Sequence, residues 1–181
     1  HEYARFSAAL SPAAAARLAG RAPLDVADAA RRVDELAQRR RLVVVEGAGG
    51  LLVRYDDDGA TIADLARRLS AGVLVVVASG LGTLNATALT LEALAARGLP
   101  LAGVVIGSWP AAPDLAARAN LRDLETLAAR PLAGALPEGV GELSPPEFLT
   151  AAHAGLAPAL GGSFDAVDFR RRHDPAPEGT R

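Results

Sequence analysis

The chain has 181 residues, 50% of them apolar, no cysteine and a formal net charge of −2. That length suits one domain burying roughly 70% of its unfolded surface. The missing cysteines exclude disulfides, thiolate metal sites and cysteine nucleophiles, and a near-neutral charge with scattered arginines argues against a nucleic-acid surface. All 19 basic residues are arginine, so no phosphate loop of the G-x-x-x-x-G-K-[ST] kind can form from these residues. No apolar run approaches the roughly 20 residues that cross a bilayer, and no signal peptide is read ahead of the first helix, which predicts a soluble cytoplasmic protein with no membrane partner. The chain opens on His1 and contains no methionine, which predicts that further sequence precedes it in the gene product.

In chain order, Pro12 stands at a first helical position, with alanines behind it and Gly20 as a stop, predicting a helix over 11–20. A second helix is predicted over 26–39 with Asp25 as its cap, Val26, Ala29, Ala30, Val33 and Leu36 sharing one face. The run Leu42-Val43-Val44-Val45 ends in Glu46 and then Gly47-Ala48-Gly49-Gly50. Such a run reads as a strand over 43–46 buried on both faces, of the kind found in parallel sheets under helical cover. Residues 51–55 alternate weakly, and Asp56-Asp57-Asp58-Gly59 reads as a solvated turn, because consecutive turn carboxylates point apart. Thr61 and Asp64 form a capping pair for a short helix to 69.

Further strands are predicted over 73–78, 101–106 and 132–136, and helices over 84–97, from an Asp114 cap to 129, and over 146–159. Gly98 and Pro131 act as stops. The alternation of buried strands with alanine- and leucine-rich helices defines an α/β fold, a parallel sheet with helices on both faces. From Gly161 onward, glycine, proline and charge replace apolar residues, so 161–181 is expected to be a disordered tail beyond a turn around 164–169. Trp109 is expected to cover a hydrophobic edge, and His1, His153 and His173, dispersed without ligand spacing, to be structural or surface residues.

In open α/β sheets ligands gather outside the carboxyl ends of the strands. Glu46, with glycine amides behind it, therefore reads either as a metal or phosphate site or as a solvated acid before an ordinary turn. The segment Ser79-Gly80-Leu81-Gly82-Thr83-Leu84-Asn85 places backbone amides at a helix start, which favours an anion. Its plain alternative is a β–α connection capped by Thr83.

Taken together, Val45-Glu46-Gly47-Ala48-Gly49-Gly50-Leu51, Gly82-Thr83-Leu84-Asn85 with the Leu89-Thr90-Leu91-Glu92-Ala93-Leu94 helix, and Leu101-Ala102-Gly103-Val104-Val105-Ile106 followed by Leu136-Pro137 resemble the dethiobiotin synthetases. The resemblance covers about 7–160, taken as one domain, and implies a P-loop NTPase-like fold whose first strands, phosphate loop and Lys-Pro element have no counterpart here. It implies a ligase that closes the cyclic urea of dethiobiotin from 7,8-diaminopelargonate, CO2 and ATP or another nucleoside triphosphate, through a phosphorylated carbamate, with Mg²⁺ as cofactor. By the same resemblance Glu46 is the Mg²⁺ carboxylate, and Glu46, Gly47, Gly107, Ser108, Leu136 and Pro137 flank the nucleotide. Ser11, Gly49, Gly50, Leu81, Gly82, Thr83, Leu84 and Asn85 line the diamine site, the Leu81 to Asn85 turn reaching across a homodimer interface. Gly107 departs from the family, in which many members place an adenine-reading Asn there, and this puts the preferred nucleotide in question.

No catalytic lysine can be assigned within these residues, so the 181-residue polypeptide is expected to be inactive alone. The Glu-Gly-Ala-Gly-Gly strand end also fits other amide-forming ligases of the superfamily, such as cobyrinate amidation enzymes; the Gly82 to Asn85 helix start favours the dethiobiotin synthetases. A third reading is a non-catalytic remnant, favoured by the missing lysines.

Overall fold

A computed structural model describes residues 1–175. They group into two compact units, one of residues 1–72 with 96–100, the other of 73–95 with the residues from 101 on.

The first unit is helical. Helix α1 (Pro12–Leu18) starts on a proline whose missing N–H is not needed in the first turn. Helix α2 (Val26–Ala37) is capped by Asp25, whose carboxylate accepts from the N–H of Ala27 at 2.7 Å and Asp28 at 3.2 Å. Helix α3 (Ile62–Arg68) carries the reciprocal Thr61/Asp64 capping box. Thr61 donates to the Asp64 carboxylate from its backbone N–H at 2.9 Å and its hydroxyl at 2.8 Å. Burial pushes the Asp64 pKa up, but the Thr61 bonds, with Arg67 and Arg97 nearby, more than reverse this and leave it below the ordinary carboxylate value. The core of the unit is Val26, Ala29, Ala30, Tyr55 and Leu65, with Leu24, Ala60, Ile62 and Leu69 packed around it.

The strand expected over 43–46 is not formed. Those residues enter no ladder, and Leu42, Val44 and Val45 are exposed at 77%, 82% and 38%. A strand exists only through its partners, and the described ladders join three other segments. The 56–59 turn is as expected: Asp56 accepts from Ala60 N–H at 2.9 Å and Asp57 pairs with Arg17 at the surface.

The second unit holds a parallel sheet of β1 (Val73–Val77), β2 (Leu101–Trp109) and β3 (Gly134–Pro137), in that order. Helices α4 (Thr83–Ala96) and α5 (Leu115–Ala128) make the two crossovers, followed by α6 (Pro145–Gly155) and α7 (Ala166–His173). Central β2 is buried on both faces, with Val104, Val105 and Ile106 at most 2% exposed, and Leu121 and Leu124 of α5 are fully buried. Asp114 caps α5 by accepting from Ala117 N–H at 2.7 Å.

Most boundaries fall within two residues of expectation, and three departures are larger. Strand β2 runs through Gly107 and Ser108 to Trp109 because β3 pairs with it there, Trp109 lying opposite Pro137. Helix α6 stops at Gly155, since Leu156 is extended and bridges to Gly134. That bridge needs glycine on both sides: a Cβ on Gly134 would lie 2.4 Å from the Gly155 carbonyl oxygen, and one on Gly155 would lie 2.8 Å from that of Ala135. Third, the expected disorder from 161 is overturned as far as 173, where α7 is ordered; residues 176–181 lie outside the described residues.

Helix α7 is held by an ion pair between Arg170 and Glu125, whose carboxylate also accepts from Leu132 N–H at 3.2 Å. It is held too by an aromatic cluster in which Trp109 meets Phe169 and His173 edge-on, at ring-centroid distances of 5.1 and 5.0 Å. Trp109 thus covers an apolar edge as expected, and His173 is structural. Burial, then the charges of Arg172 and Arg118, lower the His173 pKa, so the folded chain favours the neutral ring. Its contribution to stability is therefore intact above the unfolded pKa of about 6.5 and lost as pH falls through the lower folded value. Thermal melts should show His173→Phe less sensitive than the unvaried chain to acidification below about pH 6.5. Parallel pH profiles would refute this.

Candidate functional site

In the first unit, the apolar segment ends in an exposed Glu46, and the chain then folds into the glycine turn over 47–50. Gly49 adopts φ +86°, where a side chain would be strained. Its neighbour Gly47 is required for space: a Cβ there would stand 2.3 Å from the Tyr55 hydroxyl oxygen and 3.1 Å from Ile62. Tyr55 is only 4% exposed, and its hydroxyl oxygen accepts from the Ala48 backbone N–H. Burial raises its pKa, partly offset by that bond, so the phenol is neutral under physiological conditions. The turn returns through Val53 N–H to Gly50 carbonyl at 3.0 Å, and Tyr55 itself is anchored by its N–H to Ala60 carbonyl at 2.7 Å. Ala13 N–H donates to Arg54 carbonyl at 3.2 Å, so Ser11, exposed at the N-cap of α1, belongs to the same region.

In the second unit all three strands run parallel, so the 79–85 turn, Gly107-Ser108 and Leu136-Pro137 share the carboxyl edge of the sheet. Gly82 is at φ +89°. The Thr83 hydroxyl donates to Ala78 carbonyl at 2.7 Å and its N–H to Gly80 carbonyl at 3.3 Å, tying the start of α4 to the end of β1. Leu81 and Asn85 are exposed, whereas Thr83 is buried. Beside the turn lies a cavity of about 280 Å³ lined in part by Leu81, Gly82, Thr83 and Thr87. Glu138 N–H donates to Trp109 carbonyl at 2.9 Å and closes β2 against the residue after Pro137.

Gly107 has a packing reason: a Cβ there would approach Val76 of β1 at 2.7 Å. Gly107→Asn, which would install an amide at this strand end, is expected to force the largely exposed Val76 side chain off its rotamer and cost about 0.5–1.5 kcal/mol. Denaturant melts of the variant check this, and an unchanged midpoint would refute it.

The structure thus places Ser11, Glu46, Gly47, Gly49 and Gly50 in the first unit. Leu81, Gly82, Thr83, Leu84, Asn85, Gly107, Ser108, Leu136 and Pro137 lie in the second. Two supporting residues escaped the sequence reading. Tyr55 carried a faint signal as one of few aromatics, close behind the glycines; Asn120 in α5, 7% exposed and bonded to the 79–85 turn, carried none. Among the described residues no group of three or more His, Cys, Asp or Glu is placed to hold a metal ion. A lone exposed carboxylate at a glycine turn, as at Glu46, still suits Mg²⁺, which takes one or two carboxylates and completes its shell with phosphate and water.

The parallel sheet with its flanking helices defines an α/β protein, and the match of residues 1–146 to the family described as AAA domain puts it in the P-loop NTPase-like class. Within that class the chain belongs to the dethiobiotin synthetase family. It is 64% identical over 174 residues to the ATP-dependent dethiobiotin synthetase BioD of Frankia casuarinae, covering 96% of this chain and 73% of the relative. The protein of the same name from Streptomyces coelicolor is 55% identical over the same shares, and that of Rhodococcus erythropolis 50% over 86% of this chain and 68% of the relative.

Proposed function

We propose that this chain serves the reaction its relatives are named for, ATP-dependent synthesis of dethiobiotin. The carrying observation is the Glu46 to Gly50 turn, an exposed carboxylate followed by glycine amides and braced by buried Tyr55, in a chain 64% identical to a named synthetase. In this reading 7,8-diaminopelargonate captures CO2 as a carbamate, the triphosphate transfers its terminal phosphoryl group to the carbamate oxygen and leaves as the diphosphate, and the second amine attacks the carbonyl carbon and expels phosphate to close the ring. Phosphoryl transfer of this kind depends on positioning and charge neutralisation.

Glu46 would hold Mg²⁺, which when bound neutralises charge on the polyphosphate. Gly49 and Gly50, lacking Cβ, let backbone N–H groups approach the carbamate, and Ser11 borders the diamine. The Leu81 to Asn85 turn receives the substrate's distal carboxylate at the start of α4, contributed across a homodimer interface. Gly107, Ser108, Leu136 and Pro137 flank the nucleotide base. The phosphate-contacting lysines of the resemblance have no counterpart in a chain without lysine.

Calorimetric titration of 7,8-diaminopelargonate into the chain tests this reading. Saturable binding is expected, about tenfold weaker for the analogue whose carboxylate is an amide, the loss typical of one charge-assisted hydrogen bond. Absence of saturable diamine binding would overturn it.

A further inference from the structure

The 79–85 turn is not held by local contacts alone. Asn120, in the middle of α5 and about forty residues along the chain, is buried, and its side-chain nitrogen donates to two successive carbonyls, Ser79 at 2.8 Å and Gly80 at 3.1 Å. Since both partners are acceptors, only the two N–H bonds of a neutral amide serve here; a carboxylate of the same shape would face two carbonyl oxygens and repel them. A trans peptide sets each carbonyl opposite the N–H of the next residue. Turning the Ser79 and Gly80 carbonyls inward onto Asn120 therefore turns the Gly80 and Leu81 N–H groups outward. Among the described residues neither of those N–H groups donates to the protein, while Leu81 is 90% exposed.

We infer that Asn120 is the positioning residue of this turn, its amide orienting the Gly80 and Leu81 N–H groups as a paired donor for the substrate carboxylate. The inference rests on the proposed function and deepens it, naming the donors and the group that aims them. Asn120 itself touches no substrate. It acts as the orienting partner of a preformed anion site, sparing the turn the entropy of ordering at the moment of binding.

The test is an amide NMR titration of the full chain with 7,8-diaminopelargonate and with its carboxamide analogue. In the unvaried chain the Gly80 and Leu81 resonances are expected to move with the acid and scarcely with the amide, the acid binding about tenfold tighter. Asn120→Asp should bring that preference to near unity without changing affinity for the amide, and Asn120→Ser, which keeps one donor, should give an intermediate ratio. A merely structural role would weaken both ligands alike.

Retention of the full preference in Asn120→Asp, or response at other amides, would overturn the inference. Should Asn120→Asp fail to fold, the Asn120→Ser ratio decides: an intermediate value supports the role and an unchanged one refutes it. If the unvaried chain binds neither ligand, the functional reading fails and this one with it; if it binds both equally, only the donor assignment falls.

Discussion

Supplied with Mg²⁺, ATP, CO2 and 7,8-diaminopelargonate, a polypeptide of these 181 residues is expected to release phosphate at least about 10³-fold more slowly than the Frankia casuarinae relative. The reason is electrostatic. Phosphoryl transfer leaves little covalent work to the protein and is carried by groups that position the phosphates and neutralise their charge. A Gly-rich loop ending in lysine does most of this in P-loop enzymes, and this chain has no lysine. Its arginines offer a rigid planar fork rather than a compact ammonium and are not equivalent in such a loop. Losing several contacts of this type removes more than about 4 kcal/mol of transition-state stabilisation, at about 1.36 kcal/mol per decade of rate. A coupled phosphate-release assay on the two proteins decides the matter. Comparable turnover would show that other groups grip the triphosphate.

The second large effect is expected at Tyr55. Its replacement by alanine should cost about 3–5 kcal/mol, the usual loss for a large buried aromatic, and in a small helical core this is enough to unfold the first unit. Tyr55 is the largest member of a cluster otherwise made of Val26, Ala29, Ala30 and Leu65. Tyr55→Phe separates packing from polarity. It keeps the ring but leaves the Ala48 N–H without its acceptor, at a net cost of about 1 kcal/mol. Thermal melts followed by circular dichroism measure the first loss. For Tyr55→Phe the sharper readout is amide hydrogen exchange at Ala48, which should speed up while α2 and α3 stay protected. Unchanged exchange there would mean that Tyr55 does not brace the turn carrying Glu46.

How far these features were readable from the chain depends on the reach of the interactions involved. The caps at Asp25, Thr61/Asp64 and Asp114 were legible because each carboxylate accepts from a backbone N–H two or three residues away, forward for Asp25 and Asp114 and back to Thr61 for Asp64. The glycine turns after Glu46 and Ser79 were legible as well, since positive φ at Gly49 and Gly82 is a local demand. The 43–46 segment shows the limit: its apolar run signals a strand, yet the ladder that would make it one depends on partners that composition does not name. The extension of β2 to Trp109 likewise follows from pairing with β3, some thirty residues away. The order of α7 follows from Phe169 and His173 meeting Trp109, though its charged sequence reads as a tail.

From residue order alone came the α/β alternation, the helix starts and the two turns that carry the candidate ligand groups, because each rests on neighbours within a turn or two of chain. Folding in three dimensions assigned what supports those turns. Asn120 beneath Ser79 and Gly80 and Val76 against Gly107 are contacts between segments distant in the chain, and Tyr55 beneath Gly47 closes a shorter loop; burial and hydrogen-bond satisfaction select all three only once the segments have been brought together.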